Sequence, residues 1–167
     1  GPLKVRIVSN RAAGQYRYRT DETETPVDLL IDPLSSSPGL TLAHEVGHWI
    51  DHKAFAPGAG FATETEAAEV SPIRRMRAWL ANPEIVDHVL PDGTLQPFMP
   101  ARSRLEYLLE PAEIFARSYS QWVAVRTGDQ ALLSGLEKKR RGRYPEQWND
   151  LEFEEIAAAF DTIARDQ

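Results

Sequence analysis

The segment His44-Glu45-Val46-Gly47-His48 constrains the interpretation of this chain more than any other part of it. It matches the pattern H-E-x-x-H, in which the histidines stand four residues apart. In an α-helix, residues at that spacing lie on the same face, one turn above the other, so both imidazoles can bind a single metal ion. The glutamate beside the first histidine is then placed to act on a water held by the metal, as the general base of a hydrolase does.

The sequence around this motif predicts a helix over residues 38–55. Apolar residues recur at helical spacing on both sides of the histidines. Ser37-Pro38 is typical of an N-cap followed by proline at the first helical position, and Pro57-Gly58 lies just beyond the predicted end. Two buried imidazoles and a carboxylate without a metal would require several hydrogen-bond partners, so this context favours metal ligands over purely structural histidines.

The lack of cysteine narrows the ligands that a metal ion could use. With no Cys in the sequence, the ligands must be His, Asp or Glu, which suits a catalytic zinc site with two histidines and a carboxylate better than a structural one. Disulfides are also excluded, which fits a reducing compartment. We therefore expect a cytoplasmic protein, bacterial or encoded by a phage, with a secreted effector as the alternative.

The composition is that of an ordinary globular protein. Hydrophobic residues make up 42% and charged residues 26% of 167 residues, which predicts one domain over 3–167, with excision from a longer protein as an option. Gly1-Pro2 resembles the remnant of a cleaved purification tag. We expect no membrane span, because there is no apolar run of about 18 residues. A net charge of −6 argues against nucleic acid as the main partner and leaves a protein or peptide substrate.

Two kinds of periodicity predict an α+β fold. Alternation of apolar and polar residues predicts strands early in the chain, and helical periodicity predicts helices later. The predicted strands are 3–8, 15–20 and 27–31. The later predictions are a helix that begins at Ser71, an amphipathic piece at 85–90, an ordered loop at 91–104, helices at 111–126 and 129–138, a solvated basic turn at 138–143, and a last helix capped by Asn149 or Asp150. Together they give a small antiparallel or mixed N-terminal sheet packed on the motif helix, followed by a mostly helical part.

A catalytic zinc site needs a third protein ligand and one open position. Two places in the sequence offer that ligand. Glu64, Glu66 and Glu69 follow the motif at the distance that a thermolysin-type enzyme uses, and Glu113 lies near the start of the second major helix. The alternative interpretation of Glu113 is a surface ion pair with Arg117 at i+4, worth only a few tenths of a kcal/mol.

Two segments of the sequence resemble a known group of zinc enzymes. H-E-V-G-H-W-I-D at 44–51, followed by E-I-F-A-R-S-Y at 113–119, is similar to the H-E-x-G-H-x-x-D and E-x-F-A signatures of zincins related to anthrax lethal factor and the Pro-Pro endopeptidases. It resembles still more the zinc-binding domains of large phage and mobile-element proteins, whose ending is similar to Q-W-N-D at 147–150. The resemblance covers residues 40–55 and 107–125 and does not extend to the N-terminal strands.

The resemblance implies a zincin-like fold and a zinc-dependent endopeptidase of the gluzincin kind. It implies that His44, His48 and Glu113 bind Zn²⁺, with Glu45 as the general base. It also implies an oxyanion-stabilising tyrosine several residues before the glutamate ligand. Tyr107 stands in that neighbourhood, one residue nearer to the glutamate than the family spacing.

Other residues near the motif have possible supporting roles. Asp51, three residues after His48, can accept a hydrogen bond from an imidazole N–H that faces away from the metal, or it is an ordinary residue at a helix end. His52 lies two turns from His44, too far along the axis to share the ion. His88 is predicted to lie on the surface.

The helix that carries Glu113 is predicted to present small residues to the motif helix. Ala116, Ser120 and Ala124 share its face, so the two helices can approach closely. Phe115, Tyr119 and Trp122 point elsewhere and are predicted to build core. Tyr119 is nevertheless the alternative to Tyr107 as a catalytic hydroxyl.

Three functions remain open from the sequence. The first is an endopeptidase that uses a metal-activated water, with an exposed strand within residues 15–32 binding an extended peptide by strand addition. The second is a non-catalytic zinc-binding interaction module of a phage or mobile-element protein. The third is a toxin or effector protease. Glu45 favours an enzyme, because a degenerate site often loses that residue.

Overall fold

The fold is α+β, with a three-stranded mixed sheet and a mostly helical remainder. The computed structural model describes residues 3–9, 12–19, 24–54, 60–65, 86–89, 95–98, 102–141 and 146–165. The strands are β1 (Lys4–Ile7), β2 (Gly14–Tyr18), β3 (Pro26–Ile31), β4 (Val86–Val89) and β5 (Leu95–Phe98). The helices are α1 (Pro38–Trp49), continued by a π-helical turn (Ile50–Ala54), α2 (Ala62–Thr65), α3 (Arg102–Leu108), α4 (Pro111–Thr127), α5 (Gln130–Arg140) and α6 (Asp150–Arg165).

The N-terminal sheet confirms the three predicted strands. β3 lies in the middle, parallel to β1 and antiparallel to β2, so the sheet is mixed. Leu29 and Ile31 on β3 are buried, and α1 packs against β2 and β3. The alternation of apolar and polar residues in β1 does not mark a buried face, because all four of its residues are exposed. β1 lies at the edge of the sheet, and α1 packs against the other two strands, β2 and β3.

An ion cluster fixes how β2 pairs with β3. The Asp28 carboxylate is fully buried and accepts hydrogen bonds from Arg17 Nε at 2.6 Å and Arg17 Nη2 at 2.7 Å, while Arg6 Nε lies 2.8 Å away. The hydrogen bonds from Arg17 hold the pKa of Asp28 below its usual range. If β2 slipped by one residue against β3, every side chain of β2 would turn to the opposite face of the sheet. The pairing of Arg17 with Asp28 therefore decides which backbone amides of β2 face α1.

The motif helix forms largely as predicted, with differences at both ends. Ser37 occupies the N-cap position and Pro38 lies in the first turn, as predicted, although the Ser37 side chain makes no capping hydrogen bond. Ser37 instead packs against Gly135 on α5, while its carbonyl accepts from Thr41 N at 3.0 Å. At the other end, the helix changes to a π-helical turn over Ile50–Ala54. Such turns are frequent at functional sites.

The helix α4 confirms the prediction for 111–126 and lies against α1. Its end at Thr127 follows from Gly128, whose φ of 65° is left-handed and suits glycine. The predicted face of small residues is buried: Ala116, Ser120 and Ala124 are fully inaccessible. α5 then begins at Asp129, whose side chain accepts hydrogen bonds from Ala131 N and Leu132 N.

Three predictions in the second half of the chain need correction. Residues 86–89 form strand β4 rather than an amphipathic helical piece, in keeping with the β-branched Val86 and Val89. The predicted loop 91–104 contains β5 and the start of α3. The basic run is not simply a solvated turn, because Arg140 ends α5 as a buried residue and donates from Nε to the Trp148 carbonyl at 2.8 Å. The helix predicted from Ser71 lies outside the described residues.

The main apolar core lies between α4 and α6. It is formed by Leu109, Ile114, Trp148, Phe153, Ile156 and Ala157, with Trp122 and Phe160 packed against it. Asn149 caps α6, as predicted, because its Oδ1 accepts a hydrogen bond from Glu152 N at 2.9 Å. Among the described residues, no helix has the length and apolarity needed to cross a membrane.

Candidate metal centre

The structure brings the three predicted ligands together. His44 and His48 project from α1, and Glu113 projects from the first turn of α4. The two imidazole Nε2 atoms are 3.2 Å apart, and Glu113 Oε1 and Oε2 lie 3.2 Å from His48 Nε2 and 3.5 Å from His44 Nε2, respectively. All three ligand atoms lie within 4.8 Å of one another, so this group could hold a metal ion.

A close helix contact places Glu113 beside the histidines. Gly47 lies between the two histidines on α1 and faces Ala116, which is three residues after Glu113 on α4. A Cβ at position 47 would lie only 2.8 Å from Ala116 Cα. The glycine of the motif and the small residue of α4 therefore allow the backbones to approach as closely as the ligand group requires.

The electrostatics of Glu113 suit a metal ligand. Burial would raise the pKa of Glu113, but hydrogen bonds and charge interactions with His44 and His48 outweigh it and hold that pKa well below its usual range. The carboxylate is therefore ionised, as metal binding requires. The surface ion pair with Arg117 is not formed: Arg117 is 4% exposed and donates to the carbonyls of Leu108 and Glu146.

Glu45 is held against the edge of the sheet. It is 6% exposed, and its Oε2 accepts a hydrogen bond from Tyr16 N on β2 at 2.7 Å. Burial raises the pKa of Glu45, and this effect outweighs the opposing influence of both imidazoles and the Tyr16 amide. Gly14 makes room for the carboxylate, because a Cβ there would lie 2.8 Å from Glu45 Oε1.

A cavity of about 270 Å³ opens beside these groups. It is lined by residues from β2, α1, α3, α4 and α5, including His44, Glu45, Tyr107 and Glu113. Tyr107 is 38% exposed; burial, the charge of Glu113 and a hydrogen bond with Glu113 all raise its pKa. The structure thus brings Tyr107 to the site, while its catalytic role stays a prediction.

Tyr119 lies elsewhere, half-buried within a group of aromatic rings and outside the main apolar core. Its ring centroid is 6.4 Å from that of Phe115, 6.0 Å from that of Trp122 and 6.1 Å from that of Phe160. It does not line the cavity that contains Glu45. Of the two tyrosines considered from the sequence, Tyr107 is therefore the one beside the candidate ligands.

The π-helical turn places Asp51 and His52 in the interior, and both are fully buried. The Asp51 carboxylate accepts hydrogen bonds from Thr63 N at 3.0 Å and Thr63 Oγ1 at 2.6 Å, and its predicted role toward an imidazole stays a prediction. His52 is not in the ligand group. Its Nδ1 lies 2.7 Å from Tyr16 Oη and its Nε2 lies 3.3 Å from Glu24 Oε2. Burial lowers the pKa of His52.

The other candidate ligands from the sequence are not placed. Glu66 and Glu69 lie outside the described residues, and so do the side chains of Glu64 and His88. Among the described residues, the group of His44, His48 and Glu113 is the one whose geometry could hold a metal ion.

Several residues of the site were missed by sequence reasoning. Tyr16 contributes a backbone amide, for which residue type gives no signal. Arg117 and Gln147 line the cavity, although they come from α4 and the segment before α6. Burial lowers the pKa of Arg117 to about 10, so its guanidinium remains charged at neutral pH.

Comparison with known proteins returns no match. No family model, curated protein or solved structure matches the chain. The candidate metal centre is therefore recognised from the arrangement of the chain's own residues alone.

Proposed function

We propose that the chain is a zinc-dependent endopeptidase with a zincin-like fold, in which His44, His48 and Glu113 hold Zn²⁺. The observation that carries this proposal is the close approach of the three ligands: the two Nε2 atoms are 3.2 Å apart, one Glu113 oxygen lies 3.2 Å from His48 Nε2, and the other lies 3.5 Å from His44 Nε2. Zinc bonds of about 2.0–2.1 Å in tetrahedral directions would place the ligand atoms about 3.3 Å apart. Two histidines and one carboxylate are the ligand set of a catalytic zinc site, and here His44 and Glu113 line a cavity.

The proposed chemistry assigns the proton transfers to Glu45. Zinc, when bound, supplies Lewis acidity and lowers the pKa of a bound water toward ~7. Glu45 accepts the proton of the attacking water and passes it to the leaving amine, completing hydrolysis of the peptide bond. Its raised pKa supports this role, because a base is most effective when its pKa approaches the working pH. The hydrogen bond from Tyr16 N fixes the orientation of the carboxylate.

Tyr107 is proposed to stabilise the developing oxyanion. Its raised pKa means that the hydroxyl keeps its proton at neutral pH and can donate it in a hydrogen bond. Its interaction with Glu113 holds it beside the ligand group. Because the hydroxyl has a single proton and the ionised Glu113 can only accept, the Tyr107 O–H would turn from Glu113 to the carbonyl oxygen as the oxyanion develops.

The substrate backbone is proposed to run along the edge of β2. This edge borders the cavity, where Ala12, Ala13 and Gly14 form part of the wall. Strand addition uses unpaired backbone groups of an edge strand. Because Glu45 already accepts from Tyr16 N, we place the contact with the substrate backbone at 12–14.

Two other functions use the same ligand group. A non-catalytic zinc-binding module would need the three ligands alone, whereas here a fourth ionisable group, Glu45, is buried against them at a desolvation cost. A buried glutamate at this cost favours an enzyme, which would use the carboxylate in catalysis, over a binding module, which would not. A toxin or effector protease would have the same chemistry and differ in its target.

The test combines metal analysis with cleavage of a peptide library. We expect about one zinc per chain in the wild type and in Glu45→Gln, and greatly weakened zinc binding in Glu113→Ala. Cleavage should fall by about 10²–10⁴-fold in Glu45→Gln, because proton transfer is lost. Glu155→Gln, the same change at an exposed position of α6, is the matched control.

The possible outcomes separate the candidate functions. A wild-type protein that binds zinc but cleaves no peptide would favour the interaction module. A wild-type protein that takes up no zinc would refute the proposal. Zinc retained at full strength in Glu113→Ala would return the third ligand to Glu64, Glu66 or Glu69.

A further inference from the structure

The cavity beside the ligand group has an excess of positive charge in part of its wall. Arg104, Arg117 and Lys139 line it together with Glu146. Lys139 Nζ lies 2.7 Å from Glu146 Oε2, and Arg104 pairs with the other oxygen of the same carboxylate. Two cations, Arg104 and Lys139, thus share the single carboxylate of Glu146. Arg117 adds a third positive charge to this part of the wall.

Arg117 is a buried cation whose described hydrogen bonds go to backbone carbonyls. Nη1 donates to the Glu146 carbonyl at 3.1 Å and Nη2 donates to that of Leu108. Its Nε has no hydrogen-bond partner among the described residues. The charge of Glu113 attracts the guanidinium, but that carboxylate is engaged with the two imidazoles. Glu146 also attracts the guanidinium, and the Arg117 Cζ lies 5.2 Å from the centre of the Trp148 ring, but no described carboxylate accepts a hydrogen bond from Arg117, so this buried charge is incompletely paired.

Gln147 provides a second unsatisfied polar group in the same cavity wall. It is 7% exposed, and its Oε1 has no hydrogen-bond partner among the described residues. Its Nε2 makes only a long hydrogen bond of 3.4 Å to Ser120 Oγ. Rotation of the carboxamide would give up only this long hydrogen bond and would exchange the positions of its oxygen and its N–H donors.

We infer that this part of the cavity is a subsite for a carboxylate group of the peptide substrate, bound by Arg117 and Gln147. The inference depends on the proposed peptidase function and deepens it. Charge-assisted hydrogen bonds are roughly twice as strong as neutral ones, so a carboxylate gains more here than a carboxamide does. The carboxylate belongs either to an aspartate or glutamate side chain or to the C-terminus of the substrate.

The test measures the binding of zinc-chelating hydroxamates, so it does not depend on turnover. Four succinyl hydroxamates are compared, in which the side chain carries a carboxylate or a carboxamide and the C-terminus is free or amidated. Calorimetry on the zinc-loaded protein should show that loss of one particular carboxylate weakens binding at least about tenfold, or about 1.4 kcal/mol. The position of that carboxylate identifies its source. Equal affinities for all four compounds, or tighter binding of the carboxamides, would overturn the inference.

A variant then assigns the effect to this wall. Gln147→Glu places a carboxylate near Arg117 with almost no change in size, so the preference should disappear while the zinc content stays unchanged. Gln130→Glu makes the same change at an exposed position and should keep the preference. We avoid replacing Arg117, because it holds two backbone carbonyls and its loss endangers folding. A full preference in Gln147→Glu would place the carboxylate elsewhere and refute the subsite.

Because zinc content and hydroxamate binding are measured directly, failure of the subsite is distinct from failure of the peptidase proposal. A protein that binds the hydroxamates without preference, yet cleaves peptides, would lose only the subsite. A protein that shows the preference without cleaving any peptide would keep the subsite and lose the peptidase activity. Absence of zinc would refute both.

Discussion

Replacing Gly47 by alanine would test whether the contact between α1 and α4 sets the geometry of the metal centre. The new Cβ would lie 2.8 Å from Ala116 Cα, a backbone atom that cannot rotate away. Reaching an ordinary contact of 3.4 Å requires about 0.6 Å of separation between the helices. Metal sites tolerate distance errors of about 0.2 Å, so Glu113 would be displaced beyond this tolerance.

We expect zinc affinity to fall by about 10–100-fold in Gly47→Ala, as when residues that support metal ligands are changed. The stability of the metal-free protein should change less. Overpacking costs about 1–3 kcal/mol, while alanine in place of a helical glycine returns up to about 1 kcal/mol. The net loss is therefore expected to be about 0–2 kcal/mol. Competition with a chromogenic chelator measures the affinity, and urea unfolding without metal measures the stability.

Gly39→Ala is the matched control on the same helix. The nearest atom to a Cβ at position 39 is Leu132 Cδ2 at 3.2 Å, the end of a flexible side chain that can adjust. This variant should keep wild-type zinc affinity. If Gly47→Ala also kept wild-type affinity and gained stability, the close contact would not control the metal site and the reasoning would be refuted.

Three further changes probe other parts of the structure. Gly14→Ala would place a Cβ 2.5 Å from Thr41 Cγ2 and 2.8 Å from Glu45 Oε1, so peptide cleavage should fall about 10²-fold or more; normal cleavage kinetics would argue against Glu45 as the base. Burial lowers the pKa of His52 in the folded protein. As the pH falls below about 6.5, this histidine therefore binds a proton in the unfolded chain before it does so in the folded protein. The free energy of unfolding should decrease until the pH reaches the lowered pKa of the folded state. His52→Gln should remove this part of the pH dependence in urea unfolding, and identical pH slopes would contradict it. Trp148→Ala should lower the free energy of unfolding by about 3–5 kcal/mol, measured by denaturant titration, because Trp148 is buried in the core; a loss below about 1 kcal/mol would contradict that packing.

The elements with strong local signals were predictable from the sequence. The three N-terminal strands follow from alternation, and α4 follows from helical periodicity with Pro111 at its start and Gly128 at its end. These signals act between residues a few positions apart, where backbone geometry alone determines which side chains are neighbours. Weak signals gave wrong results, as at 86–89, where strand pairing with β5 overrides a helical pattern.

Helical spacing was enough to place His44 and His48 on one face, and the sequence offered Glu113 as one of several possible third ligands. The meeting of Glu113 with the histidines is a result of tertiary packing, because it depends on the contact between Gly47 and Ala116. The same holds for the hydrogen bond from the Tyr16 amide to Glu45 and for the cationic wall of the cavity. Such contacts join segments that are distant along the chain, and packing, rather than local spacing, determines which of them meet.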